Sequence, residues 1–248
     1  MKKLVTRLSV AVIAMILLLS SLTGCLSFDL ALRPTRTVSA EELVNNASLY
    51  STRSVMMLNV TYKTGMLDIG KSYIGSAVIF KNETVYYYAL TCAHCVDGEE
   101  GYRYRTIEAM DAFGNVYDAQ LYAIDAELDL ACICFRVSDT SIDLRAVDLA
   151  ERVSDVGETV ISIGSPHGQS HVVTIGEVLG YTETTLTDFR VITHSALIGG
   201  GSSGGALLNS ELELIGINFA GNDDQEYSNG YAIPIDRVRE FLTQNGLI

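Results

Sequence analysis

Proline is scarce in this chain, three residues in 248, while 48% of the residues are hydrophobic. That combination excludes a disordered chain and leaves a globular one with a large core. Cations are scarce too: 17 Lys and Arg stand against 30 Asp and Glu, a net charge of −13. Nucleic acid and anionic lipid surfaces are poor partners for such a field, so no nucleic-acid partner is expected and the acidity is read as solubility. Internal repeats, low-complexity segments and alternating helices and strands are all missing, and the last absence counts against a parallel α/β sheet. Long apolar runs are confined to the start. There Lys2, Lys3 and Arg7 precede Leu8 to Leu19, and Ser20-Ser21 follow at once. The run is too short for a secure membrane span and reads as an export signal.

The end of that signal, Leu22-Thr23-Gly24-Cys25, resembles the lipobox of bacterial lipoproteins. The resemblance implies cleavage before Cys25 and a diacylglyceryl thioether on its sulfur, with residues 1–24 as signal peptide. The mature chain would carry 14 basic against 30 acidic residues, a net charge of −16. Two or more acyl chains hold a protein stably at a membrane, so the expected partner there is the bilayer, through the anchor. Residues 25–38, with Arg33-Pro34-Thr35-Arg36-Thr37, lack an apolar period and read as a tether. The expected location is the outer face of the cytoplasmic membrane or the periplasm.

Ser39-Ala40-Glu41-Glu42 has the spacing of a capping box and predicts a short helix through Leu43 and Val44. From Val55 onward, short runs rich in valine, isoleucine and tyrosine alternate with glycine, asparagine and aspartate as far as residue 233. Ten such runs are evident, among them 55–62, 76–80, 85–91, 130–137 and 214–220. The spacing predicts an all-β sandwich or a pair of barrels. An amphipathic helix from Pro234 through Val238, Phe241 and Leu242 to Gly246 closes the chain.

Three stretches carry chemistry. Thr91-Cys92-Ala93-His94-Cys95-Val96-Asp97-Gly98 could be a dithiol redox centre, half of a zinc site, or the frame of a catalytic base. Gly200-Gly201-Ser202-Ser203-Gly204-Gly205 sets a serine among glycines, as a sharp turn needs when it exposes a nucleophile and aims amides at an oxyanion; a flexible loop looks the same. Asp129, in Glu127-Leu128-Asp129-Leu130-Ala131, leads into a buried strand, where an acid is ordinarily a solvated cap. Their order, His94, Asp129, Ser203, is one that a two-barrel fold can gather in the cleft between its halves.

At this point the sequence resembles the trypsin-like serine proteases of the HtrA type. Thr91-Cys92-Ala93-His94-Cys95 matches the motif of the family's base, Asp129-Leu130-Ala131-Cys132-Ile133 that of its acid, and Gly201-Ser202-Ser203-Gly204-Gly205 that of its nucleophile. Gly75 to Ile79, Ile163 to Gly168 and Gly230 to Ile235 look like three further family segments, so the likeness runs from about residue 40 to 245. It implies two six-stranded antiparallel β-barrels with a short N-terminal and a C-terminal helix, one protease domain over 39–248 without a PDZ domain. It also implies Ser203 as nucleophile, His94 as general base, Asp129 as its orienting acid, and an oxyanion hole from the Gly201 and Ser203 N–H groups, with no metal or other cofactor. Polypeptide substrates and a trimer are the implied partners.

Several residues depart from the family pattern. Ser202 replaces asparagine, Gly199-Gly200-Gly201 replaces Asn-Pro-Gly, and His194 replaces an aspartate, which together suggest a mobile oxyanion loop. The resemblance places substrate-binding positions near Ala196, Leu197 and Ile198, and on the strand with Asn218, Phe219 and Ala220. None is an acid suited to lysine or arginine, so cleavage after Val, Ala, Ile or Leu is expected. Of the remaining cysteines, Cys92 and Cys95 are expected to pair with Cys132 and Cys134 in at least one disulfide, with a four-thiol zinc site and free thiols as alternatives. A protease fold that binds peptide without cutting is the competing reading of the whole.

Overall fold

The computed structural model describes residues 38–248, apart from Met66, Ile69, Glu99, Thr140 and residues 222–227. The export signal, Cys25 and all but the last residue of the tether lie outside the described residues. Residues 40–248 form one compact unit. Within the described residues no helix is long and apolar enough to cross a membrane.

Helix α1 (Ala40–Leu49) begins directly after Ser39 and buries Leu43 and Ala47, one helical turn apart on one face. Twelve strands follow. The first six are β1 (Val55–Lys63), β2 (Lys71–Glu83), β3 (Tyr86–Cys92), β4 (Tyr104–Met110), β5 (Val116–Asp125) and β6 (Leu130–Arg136). They close into an antiparallel barrel in the order β1-β2-β3-β6-β5-β4. The second six are β7 (Thr159–Gly164), β8 (Val172–Thr182), β9 (Val191–Ile198), β10 (Ala206–Leu208), β11 (Leu214–Gly221) and β12 (Ser228–Pro234), closed as β10-β11-β12-β9-β8-β7. A one-turn helix α2 (Ala93–Val96) follows β3, and α3 (Ile235–Gln244) ends the fold with Val238, Phe241 and Leu242 buried. The expected architecture of two six-stranded barrels and two flanking helices is therefore the one observed.

Two of the twelve strands, β4 and β12, are absent from the ten apolar runs. In β4 only Ile107 and Ala109 are buried, so its sequence reads as mostly polar. Strand β12 contains Gly230 and ends in Pro234, residues that ordinarily mark turns.

Burial along β3 and β6 explains how the barrels meet. Ala89 on β3 and Ala131, Ile133 and Phe135 on β6 pack inside the first barrel. Leu90 and Cys92, with Leu130 and Cys132, turn the other way into a core shared with the second barrel, against residues such as Ile217 and Phe219. Strand periodicity of two puts alternate side chains on opposite faces, and here both faces are dry. Their register, Leu90↔Cys132 and Cys92↔Leu130, fixes the ends of both strands at the junction.

That register bears on the expected disulfide between segments. Among the described residues, Cys92, Cys95, Cys132 and Cys134 are all free thiols. Cys92 and Cys132 share a face but sit diagonally, each opposite a leucine, and diagonal neighbours about 7–8 Å apart exceed the span a disulfide tolerates. Cys134 is opposite Tyr88, farther along the ladder from both Cys92 and Cys95.

Candidate active site

His94 is the second residue of α2, immediately after β3. Its partner Asp129 immediately precedes β6 and has φ +52, in the left-handed region that aspartate tolerates better than most residues. Asp125 tightens the turn before it by accepting the Glu127 and Leu128 N–H groups, each at 3.0 Å. So placed, Asp129 grips α2 through three atoms. Its Oδ1 accepts the His94 N–H at 2.9 Å, its Oδ2 pairs with His94 Nδ1 at 2.8 Å, and its carbonyl accepts the Ala93 N–H at 3.0 Å. With Nδ1–H donating to the carboxylate, Nε2 is the nitrogen left for proton transfer. Burial pushes the imidazole pKa down, but the hydrogen bond of Asp129 and the influence of neighbouring Cys95 outweigh it and hold the group up at about 10.

The second barrel supplies Ser203, in the turn before β10. Two glycines make that turn. Gly201 has φ +100 and a Cβ there would lie 2.5 Å from the Ser165 carbonyl oxygen; Gly204 has φ +85 and its Cβ would lie 2.0 Å from that of Ser76. Any other residue would be strained and would collide with backbone.

Hydrogen bonds hold the loop on both sides. The Gly200 carbonyl accepts the His167 N–H at 2.6 Å, which directs the N–H of the same peptide, that of Gly201, the opposite way. Ser76 Oγ donates to the Gly201 carbonyl at 2.8 Å and accepts the Ser165 N–H at 2.9 Å, while the Ser76 N–H donates to the Ser203 carbonyl at 2.8 Å. Ser202, the residue in place of the family's asparagine, is buried and its Oγ accepts the Gly199 N–H at 3.2 Å. Among the described residues, neither the Gly201 nor the Ser203 N–H donates to another protein group, as an oxyanion hole requires. The mobility expected from the glycine run is thus countered by backbone partners.

The candidate nucleophile is turned aside. Ser203 Oγ donates to the Phe219 carbonyl at 3.1 Å, so its described hydrogen bond is to β11 and not to His94. Reaching Nε2 requires rotation of the serine side chain. His94, Ser203 and Gly201 line a cleft of ≈ 540 Å³ with Cys95, Tyr73 and Ile74 among its other walls. A cleft of ≈ 610 Å³ near Tyr181 and Arg237 is larger but holds no nucleophile–base pair.

The substrate-binding positions separate. On β9, Ala196 and Ile198 face the barrel interior, while Leu197, between them, projects outward and is 48% exposed. Strand alternation therefore makes Leu197 the least suited of the three to line a buried pocket. Asn218 is fully buried and anchors rather than lines: its Nδ2 donates to Ser162 Oγ and the Ala206 carbonyl, and its Oδ1 accepts from His194 Nε2 at 3.1 Å. Burial pushes the His194 pKa down to about 4 against the opposition of Asn218 and the Ala196 backbone, and its Nδ1 makes no hydrogen bond of good geometry. Phe219 is nearly buried and Ala220 half-buried on β11.

Among the described residues, the four-thiol zinc grouping is not assembled. Cys92 Sγ, His94 Nδ1 and the Asp129 carboxylate do lie within 4.8 Å of one another, yet Nδ1 and the carboxylate already satisfy each other. The residues that reasoning from sequence passed over are Ser76 and His167. Both lie in segments that the likeness already matched, 75–79 and 163–168, but a role in the site was assigned to neither, and that of His167 is carried by a backbone N–H.

Two closed barrels with a His–Asp pair on one and a glycine-framed serine on the other define a trypsin-like hydrolase architecture. Residues 75–217 match the trypsin-like peptidase domain family, and the chain belongs to it. It is 34% identical over 175 residues to the serine protease Do-like HtrA of Bacillus subtilis, covering 66% of this chain and 37% of that one. It is 32% identical over 176 residues to a probable periplasmic DegP-like serine endoprotease of Buchnera aphidicola, covering 69% and 36%. Among solved structures, the HtrA-type protease AlgW with a tripeptide superposes with a TM-score of 0.66 at 29% identity, over 82% of this chain and 63% of that one. The chain thus spans a little over a third of the length of these two curated relatives.

Proposed function

We propose that this chain is a serine endopeptidase that cuts exported or unfolded polypeptides at the cell envelope. The observation that carries the reading is the His94–Asp129 pair, 2.8 Å apart and opening on the same cleft as Ser203 and Gly201. Once substrate enters, Ser203 Oγ leaves the Phe219 carbonyl, gives its proton to His94 Nε2 and attacks the scissile carbonyl carbon. The N–H groups of Gly201 and Ser203 receive the oxyanion, an interaction whose loss typically costs about 100- to 1,000-fold. His94 then protonates the leaving amine, and water repeats the sequence to release the acyl group. Asp129 keeps the imidazole in one tautomer throughout. Strand β11 would pair with the substrate backbone near Phe219 and Ala220, and the apolar surroundings favour Val, Ala, Ile or Leu before the cut.

Export and a lipid anchor on Cys25 are part of the same proposal, supported by the signal-like start and the lipobox-like residues 22–25. A trimer is proposed on family likeness. Labelling the native protein with a fluorophosphonate and mapping cuts in an unfolded protein is the test. A labelled Ser203 with cuts after small aliphatic residues is expected. An unlabelled, inactive, folded protein would favour the peptide-binding alternative.

A further inference from the structure

The cleft that holds His94 and Ser203 opens onto another. Its walls come from the first barrel and the serine turn, and among the described residues none comes from β11, where residues before the cut would pair. Adjoining it is a cleft of ≈ 420 Å³ lined by Tyr62, Gly98, Tyr102, Arg103, Tyr104 and Arg105. Tyr62 and Gly98 border both. Tyr62 is buried and its hydroxyl donates to the Asp97 carbonyl, which fixes the ring. That ring meets two others edge-on, Tyr73 of the first cleft at 5.9 Å between centroids and Tyr102 of the adjoining one at 6.0 Å. Three packed tyrosines thus make one wall that runs from the first cleft into the next.

Charge changes along that wall. The chain as a whole carries −13, yet this end of the first barrel gathers cations. Strand register sets Tyr62 opposite Lys71 on β2 and opposite Arg105 on β4, and Lys63 opposite Tyr104. Arg105 is held in place, because its guanidinium donates to the carbonyl of Val96, the last residue of the helical turn that carries His94. Arg103 is exposed, and its backbone N–H donates to the Lys63 carbonyl at 2.9 Å. Among the described residues its guanidinium has neither a hydrogen bond nor an ion pair. No acidic residue stands among the described walls of the adjoining cleft. Asp97, on the wall of the first, accepts the Gly98 N–H at 2.8 Å.

We propose that the adjoining cleft is a subsite for an acidic side chain of the substrate, an aspartate or glutamate within the first few residues after the cut. The proposal rests on the peptidase reading above. The side follows from placement: β11 takes the residues before the cut, so the walls that the first barrel builds around His94 are left for the leaving half. The Arg103 guanidinium presents a planar fork of N–H donors that matches a carboxylate, and the tyrosine faces around it cover the aliphatic stem of such a side chain. Two arginines in one cleft repel a basic side chain. Specificity then has two halves, apolar before the cut and acidic after it. In a chain whose overall field repels acidic peptides, the local cations decide which of them are retained.

The test uses fluorogenic peptides with a single valine, amidated at the C-terminus so that only side chains carry carboxylate, and differing in glutamate or glutamine at the second, third or fourth position after it. At low salt, kcat/KM should favour glutamate about fivefold at one of these positions. The preference should shrink toward unity as salt screens the pair, a measurement that needs no variant. It should be lost in Arg103→Gln and kept in Arg103→Lys. Binding of the same peptides to Ser203→Ala protein, with and without Arg103→Gln, is read by fluorescence anisotropy, and a fluorophosphonate is applied to the unaltered protein. Equal cleavage of both peptides at every position, or a preference unchanged in Arg103→Gln, overturns the subsite and leaves the peptidase reading intact. Tighter, Arg103-dependent binding of the glutamate peptide by a protein that cuts neither and stays unlabelled supports an acidic-peptide site and counts against the peptidase. No cleavage together with equal binding overturns both.

Discussion

The two barrels contribute to the site in opposite ways. The first holds its proposed catalytic groups through side chains: Asp129 and His94 meet in charge-assisted hydrogen bonds at 2.8 and 2.9 Å between neighbouring strand ends. The second holds its proposed nucleophile through backbone, with glycine geometry and carbonyl partners shaping the loop, and leaves Ser203 Oγ on the Phe219 carbonyl. A charge pair within one barrel can be complete before any substrate arrives. Ser203 can be pointed at His94 only across the junction, so the resting site is a completed His–Asp pair beside an unengaged serine.

Substitutions can break each side of that contrast. Ser203→Ala should abolish peptide hydrolysis, a loss on the order of a million-fold in kcat, measured with a fluorogenic peptide. Asp129→Asn should leave the barrels folded by circular dichroism but lower kcat about 10⁴-fold through loss of the correct tautomer. A smaller loss would mean that the first barrel does not depend on its charge pair.

The pH profile sharpens the comparison. His94 must be neutral to act as base and its pKa is held up at about 10, so kcat/KM should climb as pH rises toward that value. The sign for stability is the reverse. A pKa raised on folding above its usual value of about 6.5 stabilises below that pH, and the contribution is lost as pH rises through the folded value. Solvent at the half-exposed ring tempers the size of the effect. Cys95→Ser removes one of the groups raising His94, so the climb in kcat/KM should begin at lower pH. A profile unchanged from the parent would show that Asp129 alone sets the base.

Across the junction, Ser76→Ala removes the hydroxyl that links the Gly201 carbonyl to the Ser165 N–H. Unfolding in urea should reveal a loss of about 1–3 kcal/mol, because a buried donor is left unsatisfied. Arg152→Ala, which removes exposed pairs with Asp155 and Glu158 on the second barrel, should cost no more than about 1 kcal/mol by the same measurement. A larger loss there would move the weight of stability from the core to the surface.

The sequence alone determined the all-β class, because alternating and fully apolar runs such as β1 and β6 carry their burial pattern in their composition. It also marked His94, Asp129 and Ser203, since nucleophilic chemistry demands those residue types in recognisable local frames. Strands β4 and β12 escaped, because few of their residues are apolar or because they contain turn-forming glycine and proline. Three other features were decided only by tertiary structure. Which way Ser203 Oγ points depends on a carbonyl sixteen residues away, on β11. Whether the glycine loop is held depends on Ser76 Oγ and the His167 N–H, whose residues fall in family-like segments but whose partners on the loop no local sequence shows. Where the thiols fall depends on strand register, which sets Cys92 diagonal to Cys132, and on the junction, where Cys92 and Cys95 reach the carbonyls of Asn218 and Ser203. Residue types and local spacing are written along the chain, but hydrogen-bond partners and register are properties of segments brought together in space.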